Sequence, residues 1–281
     1  MLRNIPEESV TLVVADPPYN KKMEFLNDNL PKEKFEAFTA SWIEAIIPKI
    51  KLTGSMYCFM GWDYFDFVKE LLEDRMILRR ELIWWYEQGG QMHGARNYVA
   101  EHDKILYLVK SNEFVFNKVR RPPSRKTVET WNSSRTDKDG FIRWSDLSPK
   151  MRKYYKDEKT YIERRQWKPG RGKVIGSVIP IPKVNPWSSE WLDHPTQKPE
   201  ALVDILIRMS SNEGDLVLDP FVGSGTTVAC AKRLRRDFIG SEINEIYFEM
   251  ASQRLDKEVK TVSMNKFITQ NKRTIDSYSR D

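Results

Sequence analysis

Apolar residues are distributed along this chain in two alternating rhythms. Thr11–Ala15 (TLVVA) is a short run of aliphatic and β-branched residues that stops at Asp16, and unbroken apolarity of that length fits a strand buried on both faces. From Phe35 to Ile50 apolar positions recur at helical spacing. Gly54–Met60 predicts the next strand, Tyr64–Leu72 a helix, and Met76–Trp85 and Ile105–Val109 two further strands. The rhythm resumes later in the chain. Leu202–Met209 predicts a helix with an apolar face, Asp215–Asp219 a buried strand, Thr226–Leu234 a helix, Phe238–Gly240 a strand and Asn244–Leu255 a last helix. Strands that alternate with helices predict an α/β fold around a parallel sheet.

The stretch between the two rhythmic parts differs in kind. Lys118–Lys173 holds 18 Lys and Arg against 7 Asp and Glu, a local charge of +11, whereas the whole chain of 281 residues carries only +6. Trp131, Phe141, Trp144, Tyr154, Tyr155, Tyr161 and Trp167 are interleaved with these charges. Basic side chains supply phosphate contacts, and aromatic ones stack on bases or pack a small core. The segment is therefore a candidate nucleic-acid contact region, with a solvated surface insert as the plainer reading. The chain divides into residues 1–110, a region 111–190, residues 191–257 and a polar tail 258–281.

Composition excludes several classes. Hydrophobic residues make up 40% and charged residues 31%, which allows a core and argues against wholesale disorder. Cys58 and Cys230 are too far apart for zinc-ligand spacing or a disulfide framework, so no metal is expected and a reducing compartment fits. No secretory leader and no membrane-length apolar run is visible, so a cytoplasmic protein with no membrane partner is expected.

Three short blocks carry candidate chemistry. Asp16-Pro17-Pro18-Tyr19 follows a buried strand directly. Ligands of open α/β sheets sit beyond the carboxyl ends of strands. Prolines stiffen a turn and leave carbonyls as free acceptors. A carboxylate beside such a carbonyl suits an exocyclic NH₂, which offers two donors, and Tyr19 adds a face on which a base can stack. The second block, Leu218-Asp219-Pro220-Phe221-Val222-Gly223-Ser224-Gly225-Thr226-Thr227, joins a strand to a helix. Its glycines let a ligand approach the backbone, and Ser224, Thr226 and Thr227 are available as helix caps. It lacks the Lys of a P-loop and the third Gly of a dinucleotide fingerprint. Glu242, about 20 residues on, ends the next strand, where an acidic residue can accept the hydroxyls of a ribose. The third block, His194-Pro195-Thr196-Gln197-Lys198-Pro199, opens the helix before the second, with Thr196 and Pro199 as start signals.

In this order the blocks resemble the S-adenosylmethionine-dependent amino-methyltransferases of DNA, and specifically their β class, over about residues 10–257. The resemblance implies a Rossmann-like methyltransferase sheet with permuted motif order, in which 1–110 is the catalytic half, 191–257 the cofactor-binding half, and the basic insert a target-recognition region. It implies that Asp16, Pro17, Pro18 and Tyr19 form the catalytic motif, with Asp16 and the Pro17 carbonyl on the target amine and Tyr19 on a flipped base. Asp219, Phe221, Gly223, Ser224, Gly225 and Thr226 would line the cofactor pocket, Glu242 would hold its ribose, and His194, Thr196 and Lys198 would flank its methionine end, Lys198 neutralising the carboxylate. Asp at position 16 resembles the adenine-N6 form. Arg120, Arg121, Arg125, Arg143, Arg164 and Arg165 are the candidate DNA contacts. Double-stranded DNA is the implied partner, with a homodimer and a cognate restriction endonuclease as further possibilities.

Several alternatives stay open at this level. They are cytosine-N4 methylation, a catalytically weak DNA-binding partner subunit, and methylation of RNA or protein, which the motif order disfavours. Members of the family usually carry a further strand with a Gly-Asp pair before the catalytic motif, and only 15 residues precede Asp16 here. A start upstream, a pocket closed by other residues, or weakened cofactor binding would each account for that. The loop Gln88–Asn97, with Gly89, Gly90 and Gly94, is either a segment that closes on DNA or a plain turn.

Overall fold

The computed structural model describes residues 2–23, 27–86, 100–121 and 173–258, with isolated positions between 145 and 158. In chain order the strands are β1 (Val10–Ala15), β2 (Ile50–Met60), β3 (Ile77–Trp85), β4 (His102–Val109), β5 (Arg120–Arg121), β6 (Lys173–Val174), β7 (Val178–Pro180), β8 (Leu216–Asp219) and β9 (Asp237–Gly240). The helices are α1 (Lys32–Ile46), α2 (Phe65–Glu73), α3 (Glu200–Ser210), α4 (Thr226–Arg233) and α5 (245–258). Contacts divide the chain into two compact units. One runs up to Asn117 and resumes at Gly176, and the other is Lys118–Ile175.

The larger unit is built on a sheet of order β7-β3-β4-β2-β1-β8-β9. β1 lies inside it with parallel neighbours on both sides, β2 and β8, and all six of its residues are buried. That is why Val10–Ala15 reads as an unbroken apolar run: neither face of the strand meets water. On one face Val13 and Ala15 join a core with Phe35, Trp42, Ile43 and Ile46 of α1 and Phe65, Val68 and Leu72 of α2. On the other, α3 presents Leu202, Val203, Leu206 and Ile207, and the Ser210 hydroxyl hydrogen-bonds that of Tyr57 on β2 at 2.8 Å.

Three expectations need correction. The sheet is mixed rather than parallel, because β4 runs antiparallel to both β2 and β3. No helix was expected between the third and fourth strands, and the Tyr86 N–H donates to the Glu101 carbonyl at 2.8 Å, extending the antiparallel ladder past the strand ends. Antiparallel neighbours can be joined without a crossover helix, whereas parallel neighbours need one. Helix α1 ends at Ile46, and a 3₁₀ turn, Ile47–Lys49, leads into β2 at Ile50. Pro48 has no N–H to continue the helical ladder, so the apolar positions up to Ile50 belong to three elements. Finally, the middle region is narrower than 111–190, since β7 pairs with β3 (Ile83 opposite Val178) and belongs to the large sheet.

The described part of the smaller unit includes a two-residue antiparallel ladder, with Arg120 opposite Val174 and Arg121 opposite Lys173. The loop Gln88–Asn97 and the aromatic residues of the insert lie outside the described residues, as does the tail from residue 259. Among the described residues no helix is long and apolar enough to cross a membrane.

Removing three methylene-sized groups under α1 leaves a cavity that the sheet cannot collapse into. Ile43→Ala, at a residue 0% exposed, is expected to cost roughly 2–5 kcal/mol of unfolding free energy in urea titrations. Ile77→Ala, at a residue 40% exposed, is expected to cost less than about 1 kcal/mol.

Candidate active site

The chain leaves β1 toward β2 on one side of the sheet and reaches β8 on the other, so a crevice opens beyond the carboxyl ends of these strands. Val13 pairs with Leu218, which sets Asp16 and Asp219 at adjacent strand ends. Both lie on a single cavity of about 770 Å³, together with Pro17, Pro18, Tyr19, His194, Thr196, Lys198, Phe221, Gly223, Ser224, Thr226 and Glu242. Every residue expected in the catalytic and cofactor motifs except Gly225 therefore lines one cavity. Gly225 stands behind it as the N-cap of α4.

The carboxylate of Asp16 is engaged on both oxygens. The Tyr19 hydroxyl donates to Oδ1 at 2.6 Å, and the Lys198 ammonium contacts Oδ2. Burial, reinforced by Asp16, pushes the Tyr19 phenol well above its ordinary range, so it stays a donor. Lys198, expected to neutralise a ligand carboxylate, also contacts a carboxylate of the protein itself. Its own carbonyl accepts the Thr226 hydroxyl at 3.1 Å, which ties the third block to the second.

The glycine turn is held from behind. Gly223 (φ +51°) and Gly225 (φ +82°) have left-handed backbones, and a Cβ would lie 2.9 Å from His194 Nε2 at the first and 2.8 Å from Ala251 Cα at the second. Ser224, Thr226 and Thr227 do not cap α4 as expected, because Gly225 in that conformation is the N-cap and no side chain caps it. The Thr226 hydroxyl is turned to the Lys198 carbonyl, and it accepts from Arg254 at 2.9 Å. The sequence reading missed Arg254. This buried guanidinium also donates to the Ser224 carbonyl at 3.2 Å and to Glu200 at 2.6 Å. Tyr247, Ala251 and Arg254 follow helical spacing on α5, a signal that was present but unread.

Glu242 accepts from the Gly223 N–H at 2.8 Å on one oxygen and from the Ile243 and Asn244 N–H groups, both at 2.9 Å, on the other. These bonds fix its orientation and leave lone pairs for further donors. His194, whose ring centroid is 4.4 Å from that of Tyr247, has its pKa lowered to about 4, chiefly by burial, and is neutral at physiological pH. Asp219 is 4% exposed and its pKa is raised to about 7, burial being the main cause. The Phe221 N–H donates to it at 2.9 Å.

The β3–β4–β7 side of the cavity adds residues that no motif announced. Trp84 donates its indole N–H to the Ile181 carbonyl at 2.7 Å, Tyr86 donates to Asp103 at 3.3 Å, and the Lys183 ammonium lies 4.0 Å from the centre of the Tyr86 ring. Of the candidate DNA contacts, Arg120 and Arg121 lie on β5. Arg125, Arg143, Arg164 and Arg165 are outside the described residues.

Two acidic strand ends, a glycine turn and an Asp-Pro-Pro-Tyr corner on one crevice define a class. A family model described as DNA methylase matches residues 10–253, and the chain belongs to that family. It is 34% identical over 264 residues to type II methyltransferase M.HpaI of Haemophilus parainfluenzae, covering 92% of this chain and 71% of that one. It is 33% identical over 263 residues to DNA adenine methyltransferase YhdJ of Escherichia coli (strain K12), covering 91% and 79%. Among solved structures, the cytosine-N4-specific PvuII DNA methyltransferase shares the fold with a TM-score of 0.60 at 18% identity, over 92% of this chain and 86% of that one. The M1.HpyAVI complex with SAM does so with a TM-score of 0.57 at 24% identity, over 88% and 89%.

Asp219 gives the site a pH signature. Its folded pKa, about 7, lies above the ordinary 3.8, so the folded chain keeps a proton that the unfolded chain releases. Its contribution to stability is therefore fully present at acidic pH and lost as pH rises toward about 7. Asp219→Asn lacks this titration, and its stability relative to wild type is expected to rise by on the order of a few kcal/mol between about pH 4 and pH 7 and then level off, as read from denaturant midpoints.

Proposed function

We propose that this chain transfers a methyl group from S-adenosylmethionine to the N6 amino group of an adenine flipped out of duplex DNA. The observation that carries the reading is the meeting of Asp16-Pro17-Pro18-Tyr19 and the Asp219–Thr227 turn on one cavity at the ends of adjacent parallel strands. The cavity volume, about 770 Å³, lies in the upper part of the range of roughly 300–1,000 Å³ for small-molecule sites, which leaves room for a cofactor and a base. Asp16, Asp28, Asp103, Asp193 and Glu242 line it against Lys21, Lys183 and Lys198, an acidic bias that suits a ligand carrying a sulfonium and an ammonium. The relative named as an adenine methyltransferase supports the choice of base, as does Asp at position 16.

When bound, the cofactor supplies an electrophilic methyl group. The chain's own residues position and polarise. Asp16 and the Pro17 carbonyl accept the two hydrogens of the target amine, and this favours a pyramidal nitrogen with its lone pair available. Tyr19, held by its bond to Asp16, offers its ring to the base. Glu242, oriented by three backbone N–H groups, takes the ribose hydroxyls. Phe221, in edge contact with Trp42 at 5.4 Å, gives the pocket an apolar wall backed by the core. Gly223, Ser224, Gly225 and Thr226 bring the backbone close to the cofactor. His194 and Thr196 border its amino-acid end.

The insert Lys118–Ile175 would supply target recognition, with Arg120, Arg121, Arg125, Arg143, Arg164 and Arg165 on phosphates or base edges. Duplex DNA in the cytoplasm is the substrate in this reading, and a second copy of the chain or a cognate endonuclease are the further partners it admits.

Asp16→Ala is expected to lower methyl incorporation into genomic DNA by at least about a hundredfold while the chain stays folded, as a cooperative thermal transition checks. Mass analysis of wild-type product nucleosides is expected to show N6-methyladenine, and N4-methylcytosine alone would overturn the choice of base. Reversing the charge at Arg120 and Arg121 is expected to weaken DNA binding and to reduce the slope of affinity against salt by about one or two ions. An unchanged slope would remove these residues from the DNA interface.

A further inference from the structure

Asp16 is the acceptor that the proposed chemistry needs, yet both of its oxygens are occupied by donors from the protein itself, Tyr19 on Oδ1 and Lys198 on Oδ2. The pair is no loose surface contact, since the side chains of Lys198 and Asp16 are 10% and 23% exposed. Lys198 is also rooted in the cofactor half of the site, because its carbonyl receives the hydroxyl of Thr226, the first residue of α4.

Other cationic groups are placed differently. Arg254 is committed to Glu200, the Ser224 carbonyl and Thr226. His194 is neutral, with burial the first cause. Lys183 lies over the Tyr86 ring, and Lys21 lies 5.7 Å from the centre of the Tyr19 ring. Among the described residues lining the cavity, Lys198 is the cation that touches both the catalytic block and the glycine turn.

We propose that Lys198 serves two carboxylates in turn: it pairs with Asp16 before the cofactor arrives, and transfers to the amino-acid carboxylate of the bound cofactor, which releases Asp16 to accept the target amine. The inference rests on the cofactor reading above and adds a coupling to it. The cofactor and the target amine then bind cooperatively through one ammonium, and such a coupling is reciprocal. It also orders the reaction, because the acceptor for the amine becomes fully available only once the methyl donor is in place. Lys198 is thus a positioning residue, acting through Asp16.

Binding of S-adenosylhomocysteine, measured by calorimetry on the full chain, tests the proposal without turnover. This probe keeps the carboxylate and lacks the sulfonium charge, so loss of a neighbouring carboxylate has little general electrostatic effect on it. Asp16→Asn frees Lys198 from competition and is expected to tighten binding by roughly fivefold or more. Lys198→Met is expected to weaken it by about tenfold, and Lys198→Arg to restore most of the loss. In the Lys198→Met background, Asp16→Asn is expected to change affinity by less than about twofold, because the shared partner is gone. A decarboxylated analogue should be insensitive to Asp16→Asn.

Unchanged or weaker binding by Asp16→Asn with Lys198 intact would overturn the proposal, as would an effect of Asp16→Asn that persists without Lys198. Thermal midpoints check that each variant is folded, and the cycle between the two positions holds even if one variant is less stable. Failure of the folded wild-type chain to bind the probe at all would instead remove the cofactor reading, and the coupling with it.

Discussion

The parallel pairing of β1 with β8 underlies every other feature of this molecule. Because Val13 sits opposite Leu218, the two strands end side by side, and the segments that follow them, Asp16–Tyr19 and Asp219–Thr227, open on the same crevice. The two segments are about 200 residues apart in the chain, so their meeting is a product of sheet order alone. The pairing is stabilised by burial. β1 is covered on both faces, so all six of its residues remove surface from water.

Around that junction the site is held by polar contacts that also tie the third block in. Thr226 to Lys198, Lys198 to Asp16 and Asp16 to Tyr19 form a continuous chain from the glycine turn to the catalytic corner. Behind it Arg254 grips the turn from α5 and is itself matched by Glu200 at the start of α3. Buried charges of this kind are costly unless partnered, and here each partner belongs to a different element, so the ion pairs fix how α3, α4 and α5 meet. The same burial that protects these contacts shifts Asp219 and His194 toward their neutral forms.

Membership of the DNA methylase family and the cavity geometry agree on where chemistry takes place. The geometry adds what a family assignment does not contain. The carboxylate at the heart of the site is already paired, and any ligand that uses it must first deal with Lys198.

The sequence by itself determined the elements and the blocks. Unbroken apolarity marked β1 and β8, helical spacing marked α1 to α5, and the three motifs marked about half of the residues that line the cavity, because these depend on short-range patterns of polarity, turn chemistry and spacing. Strand direction, partner choice and cap identity were decided only in three dimensions. β4 pairs antiparallel with both of its neighbours, the end of α1 moved because Pro48 interrupts its ladder, and Gly225 displaced the expected Ser and Thr caps because Arg254 and Lys198 claim the Thr226 hydroxyl. Lys198 shows the division most sharply. Its motif could be read from the chain, but its partner could not, since which of two carboxylates an ammonium meets depends on groups brought together from 182 residues away.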